Sequence, residues 1–259
     1  MSQNIIIYPS GDTNNTNPFI LFSGAGDNYI IEMTPDGFLD FSIDDGIVSS
    51  GLIMYLDAGN SNSYDGGTTW YDLSGEGNNV TLTNGPVYSS DNDGLMVFDG
   101  LDDIGIGPNI NPPSITIDVW KKWTTVSDDW LITNQVAPTD SSKGYYIRID
   151  SPSYAMRFYA GTGPSARVVA TTINLNEWYH VVGNIDANST NLYVNGVLVS
   201  TTSGGVIDYT GVQGLTIGAD NTNQRDTPGP IGPIRIYDRA LTAEEVLQNF
   251  NAQKSRFGL

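Results

Sequence analysis

Trp178-Tyr-His-Val-Val182 and Leu192-Tyr-Val-Asn-Gly-Val-Leu-Val199 decide the fold class. In an extended chain successive side chains point to opposite faces, so Trp178, His180 and Val182 share one face and Tyr179 and Val181 the other. Asn195-Gly196 separates Leu192-Tyr-Val194 from Val197-Leu-Val199. Asn-Gly between two alternating runs is the strongest short-range hairpin signal, because both turn positions want positive φ.

The same texture extends outward in both directions. Short runs rich in β-branched and aromatic residues recur at 4–8, 19–23, 29–33, 38–43, 53–56, 95–98, 115–120, 145–149, 156–159, 215–217 and 231–237, bounded by Gly, Asn, Asp or Pro. Such spacing predicts a sandwich or barrel and not alternating strands and helices. One segment reads as a helix, over 243–254. Thr242 stands three residues before Glu245 as in a capping box, with Leu241 and Val246 at the staple positions. A single amphipathic helix in an all-β chain is expected to cover an open end or edge of a sheet.

Composition narrows the functions. The chain has 259 residues, 11 Lys plus Arg and 29 Asp plus Glu, a net charge of −18. Nucleic acid and anionic membrane surfaces both reward clustered cations, so neither is an expected partner. With no cysteine, a disulfide framework, a thiolate metal site and cysteine catalysis are excluded. The start, Met1-Ser-Gln-Asn, shows no basic stretch leading into an apolar run, which predicts synthesis in a cytoplasm without a secretory leader. A boundary is expected near Asp44-Asp45-Gly46, after about 45 residues with seven acids and no Lys or Arg. Residues 1–46 form a β extension, in which Thr34-Pro-Asp-Gly37 reads as a hairpin turn, and residues 47–259 the main domain. An extension of a few short strands is marginal alone and needs a packing partner.

From Gly51 onward the order of motifs resembles the laminin-G-like branch of the concanavalin-A-like lectin/glucanase jelly rolls. The residues that carry this are Gly51-Leu-Ile-Met-Tyr-Leu-Asp-Ala58, Trp70-Tyr-Asp-Leu-Ser-Gly75, Val97-Phe-Asp-Gly100 with Asp102-Asp103, Ile115-Thr-Ile-Asp-Val-Trp120, Trp178-Tyr-His-Val-Val182, Leu192-Tyr-Val-Asn-Gly196, Leu215-Thr-Ile-Gly218 and Ile234-Arg-Ile-Tyr-Asp-Arg-Ala-Leu241. The resemblance implies an all-β, concanavalin-A-like β-sandwich with one short C-terminal helix and a small N-terminal β extension. Leu56-Asp-Ala-Gly-Asn60, Thr69-Trp-Tyr-Asp-Leu-Ser-Gly75 and the tail Asn249-Phe-Asn-Ala-Gln-Lys-Ser-Arg-Phe-Gly-Leu259 also resemble such domains in virion proteins of tailed bacteriophages. That second resemblance implies a capsid decoration or appendage subunit released by host lysis. It would be attached to other virion proteins through residues 1–46 and the C-terminal tail, as a homo-oligomer, with a trimer expected because phage decorations and fibres are often trimers. The alternative is a lectin-like adhesion module for host-surface glycans.

Candidate sites follow. The fold's glucanases use paired carboxylates, about 5–5.5 Å apart in retaining enzymes. The chain has five Glu, at 32, 76, 177, 244 and 245, and none at the expected strand spacing, so a non-enzyme is expected. His180, the lone histidine, reads as a hydrogen-bonded structural residue. The resemblance implies calcium at Asp99, Asp102 and Asp103, with Asp220 and Asp226 as second contributors. Calcium takes six to eight oxygen ligands, so Asp-rich loops suit it; the same acids also suit solvated Asx turns. Where calcium-binding relatives often carry an acid before the Arg-Ile-Tyr strand, this chain has Gly232-Pro233. Trp70, Trp120 and Trp178 are expected in the core. Trp123, Trp130, Tyr145 and Tyr159 are the candidates for stacking on a glycan. Arg148, Arg157 and Arg167 are expected to pair with acids within one sheet.

Overall fold

The computed structural model describes residues 19–22, 28–33, 39–44, 46–125, 129–135, 143–161, 167–220, 222 and 226–259. The chain forms two units, Met1–Ile47 and Val48–Leu259. In the first, β1 (Phe19–Phe22), β2 (Asn28–Met33) and β3 (Leu39–Asp44) make an antiparallel three-stranded sheet in the order β1-β2-β3. The run at 4–8 and the turn at 34–37 lie outside the described residues.

The second unit carries β4 (Leu52–Leu56), β5 (Thr69–Trp70), β6 (Val80–Thr83), β7 (Val87–Ser89), β8 (Leu95–Phe98), β9 (Ile104–Ile106), β10 (Ile115–Lys122), β11 (Asp129–Thr133) and β12 (Tyr145–Asp150). It continues with β13 (Ala155–Ala160), β14 (Arg167–Thr172), β15 (Trp178–Ile185), β16 (Ser189–Val194), β17 (Val197–Ser203), β18 (Thr216–Ile217), β19 (Gly229–Tyr237) and α1 (Ala243–Gln253). Two eight-stranded antiparallel sheets result. One runs β17-β16-β15-β10-β19-β8-β7, with β4 also on β19; the other runs β14-β13-β12-β11-β18-β9-β6-β5. The all-β sandwich expected from the sequence is the fold.

Alternation builds the core. Ile115, Ile117 and Val119 of β10, Val181 of β15 and Ile234 and Ile236 of β19 meet Ile147, Ile149, Met156, Phe158 and Ile217 of the other sheet. The sheets approach closely at Gly183, where an added Cβ would lie 2.3 Å from the Phe158 ring. Gly183→Ala is expected to force that ring off its rotamer and cost about 1–3 kcal/mol. Urea unfolding measures it, and an unchanged midpoint would show that the core accommodates the methyl.

The Asn195-Gly196 hairpin joins β16 to β17 with φ of 50° and 77°, as the turn chemistry requires. Around α1 the capping box is complete: Glu245 N–H donates to Thr242 Oγ1, and Thr242 N–H to the Glu245 carboxylate. The α-helix ends at Gln253, and Lys254–Phe257 continues as a 3-10 turn closed by Gly258 at φ 74°. The expectation that the helix covers an end or edge needs correction. It lies on the outer face of the first sheet, where Val246 packs with Val182, Tyr193 and Tyr237, and Phe250 and Phe257 stack on Trp120. The reason is chemical. β10 and β19 place Asp118 directly opposite Arg235 on that face, both completely buried, and a buried ion pair needs a cover that brings hydrogen bonds. Asn249 and Gln253 of α1 bring them.

Candidate functional site: an acidic rim beside an arginine-bearing sheet face

The loop from β8 to β9 folds around its own carboxylates. Asp99 Oδ1 accepts N–H groups from Leu101 (2.8 Å) and Asp102 (3.4 Å), while Asp103 Oδ2 accepts Asp99 N–H (2.8 Å). Asp99, Asp102 and Asp103 each bring a carboxylate oxygen within 4.8 Å of the others; the first two are exposed and Asp103 is buried. Gly100, at φ 75°, lies against Pro228, where a Cβ would meet the proline at 2.7 Å. This contact sets the segment carrying Asp226 beside the loop. Thr227 N–H donates to Gly218 O (2.6 Å) and Lys121 Nζ to Pro228 O (2.8 Å), fixing the segment from both sides. Lys121 is completely buried; burial drops its ammonium to about 7, against the pull of Asp129.

Among the five aspartates expected from the sequence, Asp226 and Asp103 feel the charge of their acidic neighbours. Burial first, then Asp220, Asp99 and Asp102, push the Asp226 carboxyl up to about 6. Burial, with Asp99 and Asp102, also raises Asp103 against the Asp99 amide. Asp220 Oδ1 accepts Thr222 N–H (2.9 Å) and Oγ1 (2.7 Å). Among the described residues, Asp226 Oδ1 is buried with no hydrogen-bond partner. A buried carboxylate oxygen left unpaired is costly, and carboxylates that raise one another's pKa are relieved by a proton or a cation. The donors are all hard oxygens, the set that suits calcium.

The expected stacking residues are placed differently, and those assignments are corrected. Trp123, just past the end of β10, and Tyr145 of β12 both join the core of the sandwich and are completely buried. Trp130 and Tyr159 stand on the outer face of the second sheet but are only 4% and 1% exposed. They pack with Tyr146, which stacks on Tyr159 at 5.0 Å between centroids and meets Trp130 at 4.8 Å. The rings hold each other and offer no free face to a sugar. Above them lie Arg148, Arg157 and Asp150. Trp70, Trp120 and Trp178 are buried as expected. His180 is structural: completely buried, with Nε2 3.1 Å from Asp118 Oδ1. Glu177 is tied to Tyr179 and Asn174, and Glu245 to Arg239.

The two stacked antiparallel sheets make a jelly-roll sandwich of the concanavalin-A type. The chain belongs to the concanavalin A-like lectin/glucanase superfamily, whose laminin-G profile matches residues 102–247, more than half of its length. No curated protein sequence matches it. Among solved structures it is similar to the binding domain of Paraclostridial Mosquitocidal Protein 1, at TM-score 0.60 and 18% identity, covering 78% of this chain and 52% of that one. Domain 4 of AbnA, an extracellular GH43 arabinanase from Geobacillus stearothermophilus in complex with arabinotriose, matches at TM-score 0.61 and 16% identity, over 79% of this chain and 98% of that domain. The botulinum neurotoxin serotype D binding domain matches at 0.63 and 14%, over 80% of this chain and 53% of that one. This chain thus spans about half the length of the two toxin domains. At these identities the likeness is one of fold.

Proposed function

We propose that this protein is a non-catalytic glycan-binding module whose acidic rim works with calcium. The observation that carries the reading is the convergence of Asp99, Asp102, Asp103, Asp220 and Asp226 on one rim, with the Asp226 oxygen buried and unpartnered among the described residues. Those five residues would hold the ion, and bound calcium supplies a site that vicinal sugar hydroxyls can enter as further oxygen ligands. The arabinotriose complex of the AbnA domain supports a sugar as the ligand class. The toxin binding domains support adhesion, and for that reason the adhesive reading is preferred to a virion scaffold anchored by residues 1–46, which draws its support from sequence resemblance alone. Binding to a glycan array with and without chelator tests the reading. Retention of neutral oligosaccharides that chelator abolishes is expected; absence of any sugar binding overturns it. Release of reducing ends, lost in Asp226→Asn, would replace it with a hydrolase.

A further inference from the structure

The outer face of β11, β12 and β13 breaks a rule of sheet pairing. Arg148 and Arg157 stand directly opposite each other on adjacent strands, and like charges in that relation repel. One carboxylate serves both: Asp150 lies 2.8 Å from Arg148 Nη2 and also pairs with Arg157 Nε. Elsewhere among the described side chains each arginine has an acid of its own, Arg235 with Asp118, Arg239 with Glu245 and Arg256 with Asp57. In a chain of 29 acids against 11 cations, two arginines sharing one carboxylate among the described residues is a local feature and not a consequence of composition.

Arg148 is also held in place. Arg148 lies over Trp130 and Tyr146, 5.4 Å from each ring centroid. Cation–π contact with a buried ring bed fixes the guanidinium plane. The Arg148 and Arg157 side chains are 25% and 36% exposed, so each keeps part of its surface open to solvent. A fixed guanidinium fork matches a carboxylate or sulfate with paired hydrogen bonds. The rim adjoins this face: Gly218, at the start of the loop that carries Asp220 and Asp226, donates its N–H to Leu131 O on β11, next to Trp130.

We propose that Arg148 and Arg157 clamp the acidic group of a uronate- or sulfate-bearing sugar, so that the glycan taken is an anionic one. The inference rests on the glycan-binding reading and names the ligand class. A net charge of −18 opposes polyanions at long range, so the clamp selects a sugar with a fixed local acid group and not nucleic acid.

Calorimetry with an aldouronic oligosaccharide carrying a single uronate, a monosulfated disaccharide and a neutral arabinan oligosaccharide tests it, alongside Arg157→Gln, Arg148→Gln and Asp150→Asn. At least one acidic sugar is expected to bind ten-fold or more tighter than the neutral one. Each arginine variant should lose that margin while keeping chelator-sensitive neutral binding. Asp150→Asn frees both guanidiniums and should tighten acidic binding several-fold, where a purely structural Asp150 would weaken it. Equal affinity for acidic and neutral sugars, an unchanged Arg157→Gln, or equally tight binding of a polyglutamate peptide overturns the clamp. Chelator-sensitive neutral binding without acidic preference sinks this inference alone; no sugar binding in any arm sinks the glycan reading as well.

Discussion

Asp118→Ala is expected to lower the unfolding midpoint by roughly 10 °C, the largest effect of any single truncation proposed for this chain. Asp118 is completely buried on β10 and accepts from Arg235 Nη1 (2.9 Å) and Asn249 Nδ2 (2.8 Å), with His180 Nε2 at 3.1 Å. Its loss leaves the Arg235 guanidinium buried with the Gln253 amide and the Tyr55 ring beside it, and no counter-charge. Removing one partner of a buried pair costs about 3–5 kcal/mol. The same change loosens α1, since Asn249 ties the helix to Asp118, to the Tyr237 hydroxyl and to Val48 N–H. Burial alone would raise the Asp118 carboxyl; His180 and Arg235 outweigh it and hold it at about 2. A folded pKa below the unfolded 3.8 stabilises above that value, and the stability is lost as pH falls toward 2. Urea titrations between pH 5 and pH 2 should show this slope in the natural protein and not in Asp118→Asn. A melting point within about 1 °C of the natural protein for Asp118→Ala would mean that the network carries no net stability.

That network shows where sequence legibility ends. The hairpin, the capping box and the strands were readable because their signals are local: a turn that needs positive φ, a cap three residues from its partner, a period of two. The pairing of Asp118 with Arg235 depends on strands 117 residues apart in sequence. A trace was present nonetheless, since Ile115-Thr-Ile-Asp-Val-Trp120 and Ile234-Arg-Ile236 each set one charge inside an apolar strand. Two such intrusions of opposite sign read as one buried pair once β10 and β19 are known neighbours. Amphipathicity alone sends the helix to an edge, whereas the polar residues beneath it require it on a face. The acidic rim was legible as residues through family resemblance, and the structure adds their convergence and the unpaired Asp226 oxygen. The stacking positions differ because Tyr145 alternates to the core side of β12 and Trp123, just past β10, joins the same core, while Trp130 and Tyr159 on the opposite face pack against Tyr146. The doubling of arginines on Asp150 required the β12–β13 register, which sequence spacing does not specify.

Calcium is expected to raise the melting point at pH 7 by roughly 5–10 °C at a hundred-fold excess over its dissociation constant, about 2.7 kcal/mol of linkage. The acids of the rim give this prediction a pH dependence of definite sign. Asp226 is pushed up to about 6 from 3.8, and Asp103 is raised too. A group whose folded pKa is raised stabilises most below its unfolded value, and that contribution is lost as pH rises through the folded one. Without calcium, the protein should therefore lose stability between pH 4 and pH 6 from this rim, as the carboxylates charge against each other. A divalent cation reverses the repulsion, and protons compete with it for the same oxygens. The calcium-induced shift should accordingly be full at pH 7 and much reduced at pH 5. Asp226→Asn separates a binding role from a structural one, because its two effects have opposite signs. It removes a charge from a crowded cluster, so the calcium-free protein at pH 7 should melt higher than the natural one. It also removes a ligand, so the calcium response should vanish. Scanning calorimetry of both proteins at pH 5 and pH 7, with calcium and with chelator, reads all of these. A calcium shift of equal size at both pH values, or one that survives in Asp226→Asn, would move the ion away from this rim.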